Sequence, residues 1–109
     1  MKQVKIYRRS VHYKKFHGLG TISEWQYAVA HAGFVYKQPS NQPEKEAYYK
    51  SGWIHIETMR SFAAMDKFVV ELVDAKISFE GFKWIADLFD DIKTKEKQRN
   101  ADKKPNSKE

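Results

Sequence analysis

The sequence has no cysteine among its 109 residues. Disulfide bonds, cysteine zinc sites, thiol nucleophiles and iron–sulfur clusters are therefore excluded, and stability has to come from packing. The chain also lacks any run of about 18 apolar residues, the length a membrane helix requires, and its first residues do not resemble a signal peptide. We therefore expect a cytoplasmic protein with no membrane partner.

Motifs for catalysis are equally scarce. The chain has no glycine-rich phosphate loop, no serine nucleophile paired with a base and no carboxylate pair in a recognisable frame. We therefore expect no enzymatic activity, no cofactor and no small-molecule substrate. The favoured hypothesis is therefore a non-enzymatic binding protein.

Two small clusters are interpreted structurally rather than as sites. His55 and Glu57 have the H-x-E spacing of zinc deaminases, but the cysteine ligands of those enzymes have no counterpart here. Asp87, Asp90 and Asp91 are spaced for shared ligation of a cation, although a solvent-exposed helix face is the favoured interpretation, in which Lys83 and Lys95 offset the repulsion. No metal site is predicted.

Acidic residues are absent from the first 23 positions, where the net charge is +6. Residues 24–92 carry a net charge of −4 and residues 93–109 carry +4. Charge separated in this way attracts polyanions or acidic protein surfaces to the basic segments. Nucleic acid or a larger protein is therefore the expected partner.

The composition supports one folded domain. Apolar residues make up 41% of the chain and aromatic residues 15%, which is enough for a modest core. The apolar pattern stops after Ile92, and Ala101 is the one apolar side chain beyond it. The sequence thus predicts a single domain over residues 1–92 and a basic disordered tail over residues 93–109.

Alternating apolar and polar residues predict the strands. The first segment forms either two strands, residues 3–8 and 11–16, or one bulged strand that covers both, because Arg8-Arg9-Ser10 lacks the glycine or asparagine preferred in tight hairpins. Further strands are expected at 34–37 and 52–58. Between them lies a long polar loop, of the kind that often carries function.

Helical spacing predicts three helices. Thr21 and Glu24 match a capping box and Gly33 suits a helix end, so one helix is expected over residues 22–32. Ser61 and Ser78 can each cap another. A strand over residues 68–73 is the less favoured alternative to the second helix. The predicted fold is α+β, a small mainly antiparallel sheet of three or four strands packed on one face by two or three helices.

The uncovered face of that sheet combines cations and rings. If Val4 and Ile6 point inward, Lys5, Tyr7 and Arg9 project together to solvent, and the row is expected to continue through the next strand. Cations neutralise phosphates and rings stack on unpaired bases, which favours single-stranded nucleic acid as the ligand. The predicted nucleic-acid-binding residues are Lys5, Tyr7, Arg8, Arg9, Lys14, Lys15 and Phe16.

Two alternatives stand beside this hypothesis. The same residues suit an ordinary solvated strand, in which tyrosine favours β-structure and lysine protects an edge. Exposed tyrosine and arginine are also typical of protein interfaces. The alternative function is therefore a protein-binding inhibitor or adaptor of phage or mobile-element type that docks on a larger host enzyme.

Overall fold

The computed structural model describes residues 1–15 and 20–103, which form a five-stranded antiparallel sheet and two helices. The predicted α+β class is confirmed. The elements in chain order are β1 (Val4–Lys14), β2 (Thr21–His31), β3 (Phe34–Lys37), β4 (Ala47–Lys50), β5 (Ile54–Met59), α1 (Phe62–Asp74) and α2 (Phe79–Lys103).

β1 lies at the centre of the sheet. Four strands follow the order β3-β2-β1-β4, and β5 also pairs with β1. β2 lines one side of β1 along its whole length, from Val4 opposite His31 to Lys14 opposite Thr21. The other side is shared, because β5 pairs with the first part of β1 and β4 with the last part. Both sides of this strand are therefore hydrogen-bonded.

The first segment is a single strand, as the one-strand alternative predicts, and not two strands over residues 3–8 and 11–16. The pairing of β1 with β2 runs through Arg8, Arg9 and Ser10 without a bulge, and register shifts occur only toward β4 and β5. Since no residue in this stretch favours a turn, eleven continuous pairs with β2 are formed instead. The predicted end of the second strand at Phe16 lies outside the described residues.

The helix predicted over residues 22–32 is wrong, because these residues form β2. Trp25, Tyr27 and Val29 also fit a two-residue period, and pairing with β1 decides between the two patterns. Gly33 does adopt the expected left-handed conformation (φ 85°), but it follows Ala32 (φ 54°) in a two-residue hairpin turn between β2 and β3. Two positive φ values in succession are typical of such turns.

The other two helices begin where the sequence predicts. Ser61 caps α1, where its Oγ accepts a 3.1 Å hydrogen bond from the backbone N–H of Ala64. Residues 68–73 are helical, so the alternative strand is not formed. Both helices pack on one face of the sheet, which we call the helical face. Its buried core contains Val4, Ile6, Tyr27, Val29, Met59, Met65, Phe68, Leu72, Ile85, Phe89 and Ile92.

α2 extends past the predicted domain end at Ile92 and continues through Lys103. Glu96, which is 4% exposed, places its Oε1 3.4 Å from Nε2 of His31 and accepts a 3.1 Å hydrogen bond from Arg99. Lys93 pairs with Asp66 of α1. These polar contacts hold the helix to the domain where apolar residues have ended, and residues 104–109 lie outside the described part of the chain.

Burial changes sides in the middle of β1. Unbroken alternation places Val11 and Tyr13, both buried, on the opposite face from Val4 and Ile6. We call this second face the open face. The segment 38–46 covers its far end, where the Tyr13 hydroxyl lies 2.6 Å from the Ser40 Oγ. The first half of the open face, on the side of Lys5, remains uncovered by the helices.

Candidate nucleic-acid interface

The uncovered part of the open face is formed by Lys5, Tyr7 and Arg9 of β1. Same-face neighbours on a strand are about 6.6 Å apart, so the three side chains form a row. Lys5 is exposed, and Tyr7 and Arg9 are half-buried. The structure thus brings together the cation, ring and cation that alternation predicts.

Arg9 is fixed by contacts on two sides. Its guanidinium carbon lies 4.5 Å from the centre of the Trp53 ring, within the range of a cation–π contact. Its Nε and Nη2 both donate to Oε1 of Gln26, at 3.1 and 2.9 Å. Gln26 is in turn oriented by Glu24, whose carboxylate accepts a 2.6 Å hydrogen bond from the amide nitrogen. The position of this cation is therefore set before any ligand arrives.

Tyr7 has a ring neighbour of its own. The rings of Tyr7 and His55 are 5.4 Å apart in an edge-to-face arrangement. His55 is exposed, and its Nε2 lies 2.7 Å from Thr58 Oγ1. One ring pair, Tyr7 with His55, and one cation–ring pair, Arg9 with Trp53, thus lie side by side on the open face.

The charge of the open face is predominantly positive. Lys37 pairs with Ala28, which pairs with Tyr7, and Lys50 pairs with Val11, so both lysines share this face with Lys5 and Arg9. Among the described strands, the one carboxylate on this face is Glu24. Its oxygens are engaged by Tyr13, Gln26 and the backbone N–H of Asn41.

The predicted row does not continue past Arg9. Because β1 is unbroken, Arg8, His12 and Lys14 lie on the opposite side of the sheet from Lys5, Tyr7 and Arg9. Lys15 lies beyond the end of β1, where its backbone N–H donates to Gly20 O. Phe16 lies outside the described residues. Of the seven predicted residues, the structure brings three together on the open face.

Arg8 forms a separate cation–π pair with Trp25 on the helical face. Its guanidinium carbon lies 4.3 Å from the centre of the Trp25 ring, which is 41% exposed. Nearby on the same side, the His12 ring lies 5.4 Å from the Tyr49 ring and its Nδ1 lies 2.7 Å from Ser23 Oγ. These cation and ring contacts belong to the helical face and form a second, distinct surface.

The surroundings of two tyrosine hydroxyls raise their pKa values. Burial is the main cause that raises the pKa of Tyr13, and hydrogen bonding to Glu24 acts in the same direction. Burial also raises the pKa of Tyr27, although Arg8 opposes the change. Tyr13 therefore remains a hydrogen-bond donor to Glu24 across the ordinary pH range and helps to hold the network behind Arg9.

The structure separates the residues of one cluster weighed in the sequence and pairs those of the other with lysines. A register shift between Ile6 and Tyr7 places Glu57 opposite Ile6 and His55 opposite Tyr7, so these two side chains lie on different faces. On α2, Lys83 pairs with Asp87 and Lys95 with Asp91, as the spacing predicts. No group of three or more potential metal-ligating side chains occurs within the described residues.

Trp53, Lys37, Lys45 and Lys50 were not among the predicted binding residues. Trp53 lies just before β5 and joins the open face only because β5 pairs with β1. The lysines come from β3, β4 and the loop between them. The long polar loop expected from the sequence contains β4, and the position of Lys45 near Arg9, at the same cleft, depends on strand pairing that one sequence does not reveal.

The fold and the site define a small α+β protein with a curled antiparallel sheet, two helices and a basic, aromatic face. Neither helix within the described ranges combines the length and the apolar character needed to cross a membrane. Comparisons with protein-family models, with curated proteins and with solved structures found no match to this chain.

Proposed function

We propose that this protein is a non-enzymatic binding module whose open face binds single-stranded nucleic acid. The observation that carries the proposal is the row of Lys5, Tyr7 and Arg9, with Arg9 held against Trp53 and Tyr7 beside His55. Lysine and arginine neutralise phosphates, and partly exposed rings stack on bases that have no pairing partner.

A single strand fits this face better than a duplex. The ring side chains are useful to a ligand only if its bases are unstacked and accessible, which is the state of bases in a single strand. The guanidinium of Arg9 also has a flat surface that stacks on a base as well as donors for a phosphate. A duplex would use only the cations, so its affinity should be lower.

The charge distribution also favours the open face as the surface that meets a nucleic acid. Lys5, Arg9, Lys37 and Lys50 share the open face, whereas the exposed side of α2 carries Asp87, Asp90 and Asp91. Lys83 and Lys95 pair with two of these aspartates and leave that side of α2 close to neutral, so a polyanion is attracted to the open face rather than to the helix. Long-range electrostatics thus directs a nucleic acid toward the rings.

The test is binding of labelled single-stranded oligonucleotides, followed by fluorescence anisotropy over a range of salt concentrations. Lys5→Ser should reduce the slope of log affinity against log salt by about 0.7, the value for one phosphate contact of a single strand. Tyr7→Leu should weaken binding about fivefold or more at every salt concentration, since a stacked base contributes about 1–3 kcal/mol.

Lys67→Ser is the matched control, because Lys67 is an exposed lysine of α1 on the other side of the protein. This variant should bind as the unchanged protein does. Duplex DNA of the same length serves as competitor and should compete weakly. Absence of binding even at low salt, or equal losses in Lys5→Ser and Lys67→Ser, would overturn the proposal and favour the protein-binding alternative.

A further inference from the structure

We propose that a cleft at the covered end of the open face binds a phosphate monoester. The cleft has a volume of about 350 Å³, and four cationic residues line it. These are Arg9, Lys37, Lys45 and Lys50. No carboxylate occurs among its described lining residues, and the others are neutral side chains such as Gln26 and Ser40.

The four cations come from four different parts of the chain. Arg9 belongs to β1, Lys37 ends β3 and Lys50 ends β4. Lys45 lies in the segment between β3 and β4, where its backbone N–H donates a 3.0 Å hydrogen bond to Gln42 O in a turn. Like charges brought together by separate elements repel one another, so their convergence favours a site that an anion completes.

Arg9 supplies a fixed donor for this anion. A guanidinium has five N–H donors, and two of those of Arg9 are used by Gln26, which is only 6% exposed. The remaining donors are free to make charge-assisted hydrogen bonds to phosphate oxygens. Because Glu24 holds Gln26 in place, the guanidinium does not have to be ordered when the ligand binds.

The four cations of the cleft favour a phosphate monoester over a backbone phosphodiester as the ligand. A phosphodiester carries one negative charge, whereas a phosphate monoester carries about −1.5 to −2 near pH 7 and presents three acceptor oxygens. Glu44 and Glu46 belong to the same segment as Lys45 but do not line the cleft. The cleft therefore matches a group of higher charge than the open face requires.

The monoester has two possible sources, the phosphorylated end of a nucleic-acid strand or a free nucleotide. The first source rests on the proposed function, because the strand would leave the cleft at Arg9 and cross the open face. The second source does not depend on it. Both sources present the same phosphate chemistry to the cleft.

The experiment compares oligonucleotides that differ only at the end, with a phosphate or a hydroxyl, and compares AMP with adenosine by titration calorimetry. The phosphorylated oligonucleotide should bind about tenfold more tightly than the hydroxyl form, the size of one charge-assisted hydrogen bond. The double variant Lys45→Ser/Lys50→Ser should abolish this ratio. Lys5→Ser should weaken both oligonucleotides and leave the ratio unchanged.

The outcomes separate this inference from the proposed function. The phosphate site is overturned if the phosphate and hydroxyl forms of the oligonucleotide bind with equal affinity and AMP binds no more tightly than adenosine. The proposed function then remains intact. A second outcome is that AMP binds more tightly than adenosine, that Lys45→Ser/Lys50→Ser abolishes the difference, and that no oligonucleotide binds at low salt. This outcome supports the site with a free nucleotide as its ligand and overturns the proposed function.

Discussion

Arg8 and Arg9 are adjacent in the sequence and occupy opposite faces of the sheet, each against a tryptophan. Their separation follows from strand geometry, because successive side chains of a strand point to opposite sides. A charge count over the basic segment treats the two as equivalent. Their contacts show that Arg9 belongs to the proposed ligand face and Arg8 to a different surface.

His31 should make the stability of the protein depend on pH. Burial lowers its pKa below the ordinary value of 6.5, and Arg99 and Lys2 act in the same direction, whereas Glu96 opposes them. The unfolded chain then binds a proton more readily than the folded chain. We expect stability to be highest above pH 6.5 and to fall as the pH is lowered through the folded pKa.

The measurement is urea denaturation at several values between pH 7.5 and 5.5 for the unchanged protein and for His31→Gln. The variant removes this titration, so its stability should decline less over the same interval. An identical decline in both proteins would show that other groups cause the effect. A gain in stability on acidification would show that the ion pair with Glu96 outweighs burial.

The cap of α1 is the clearest contribution of a single residue to an element. Ser61→Ala removes the acceptor for the Ala64 N–H and should reduce the free energy of unfolding by about 1 kcal/mol. Chemical denaturation monitored by circular dichroism measures the change. Ser61→Asp keeps an acceptor at the cap and should restore most of the loss, and a loss of equal size in both variants would contradict the capping role.

Sequence patterns predicted the elements whose signals are local. Ser61 and Ser78 mark helix starts because a cap acts within one turn, and the alternation of Ile54 and Ile56 with His55 and Glu57 marks a strand. β2 was mistaken for a helix because Ile22, Trp25 and Val29 also fit a helical stripe. The competing strand is favoured by eleven pairs with β1, which are not local and so leave no signal in the segment itself.

For the candidate site too, the sequence predicts the features that depend on local spacing and not those that depend on strand pairing. Alternation within β1 was sufficient to place Lys5, Tyr7 and Arg9 on one face. The partners of that row depend on which strands are neighbours and with what register, so Trp53 and Lys50 could not be assigned from spacing. Spacing also does not reveal the change of burial between Ile6 and Val11. Apolar residues at even positions (Val4 and Ile6) followed by apolar residues at odd positions (Val11 and Tyr13) fit two separate strands equally well.

At the scale of the whole molecule, α2 should contribute to stability beyond the predicted domain end. A chain that ends at Ile92 loses the contact of Glu96 with His31 and the pairing of Lys93 with Asp66. We expect its free energy of unfolding to be lower by about 1–3 kcal/mol, because both of these polar contacts between α2 and the rest of the domain are lost. Thermal and urea unfolding compare it with the full chain.

Glu96→Gln in the full chain is the control for this truncation. It keeps the helix and its length but removes the charge beside His31, so it should lose less stability than the shortened chain. Equal unfolding midpoints for the chain ending at Ile92 and the full chain would show that the helix beyond residue 92 adds no stability, and would support the domain end predicted from the sequence.

The central position of β1 determines how the loss of conformational entropy on binding is divided between the protein and its proposed ligand. A strand bonded on both sides has little backbone freedom left to lose. The ligand proposed above, an extended and flexible single strand, would therefore bear most of the entropy loss on binding. Affinity should then respond more to the stiffness of that chain than to changes that rigidify the protein.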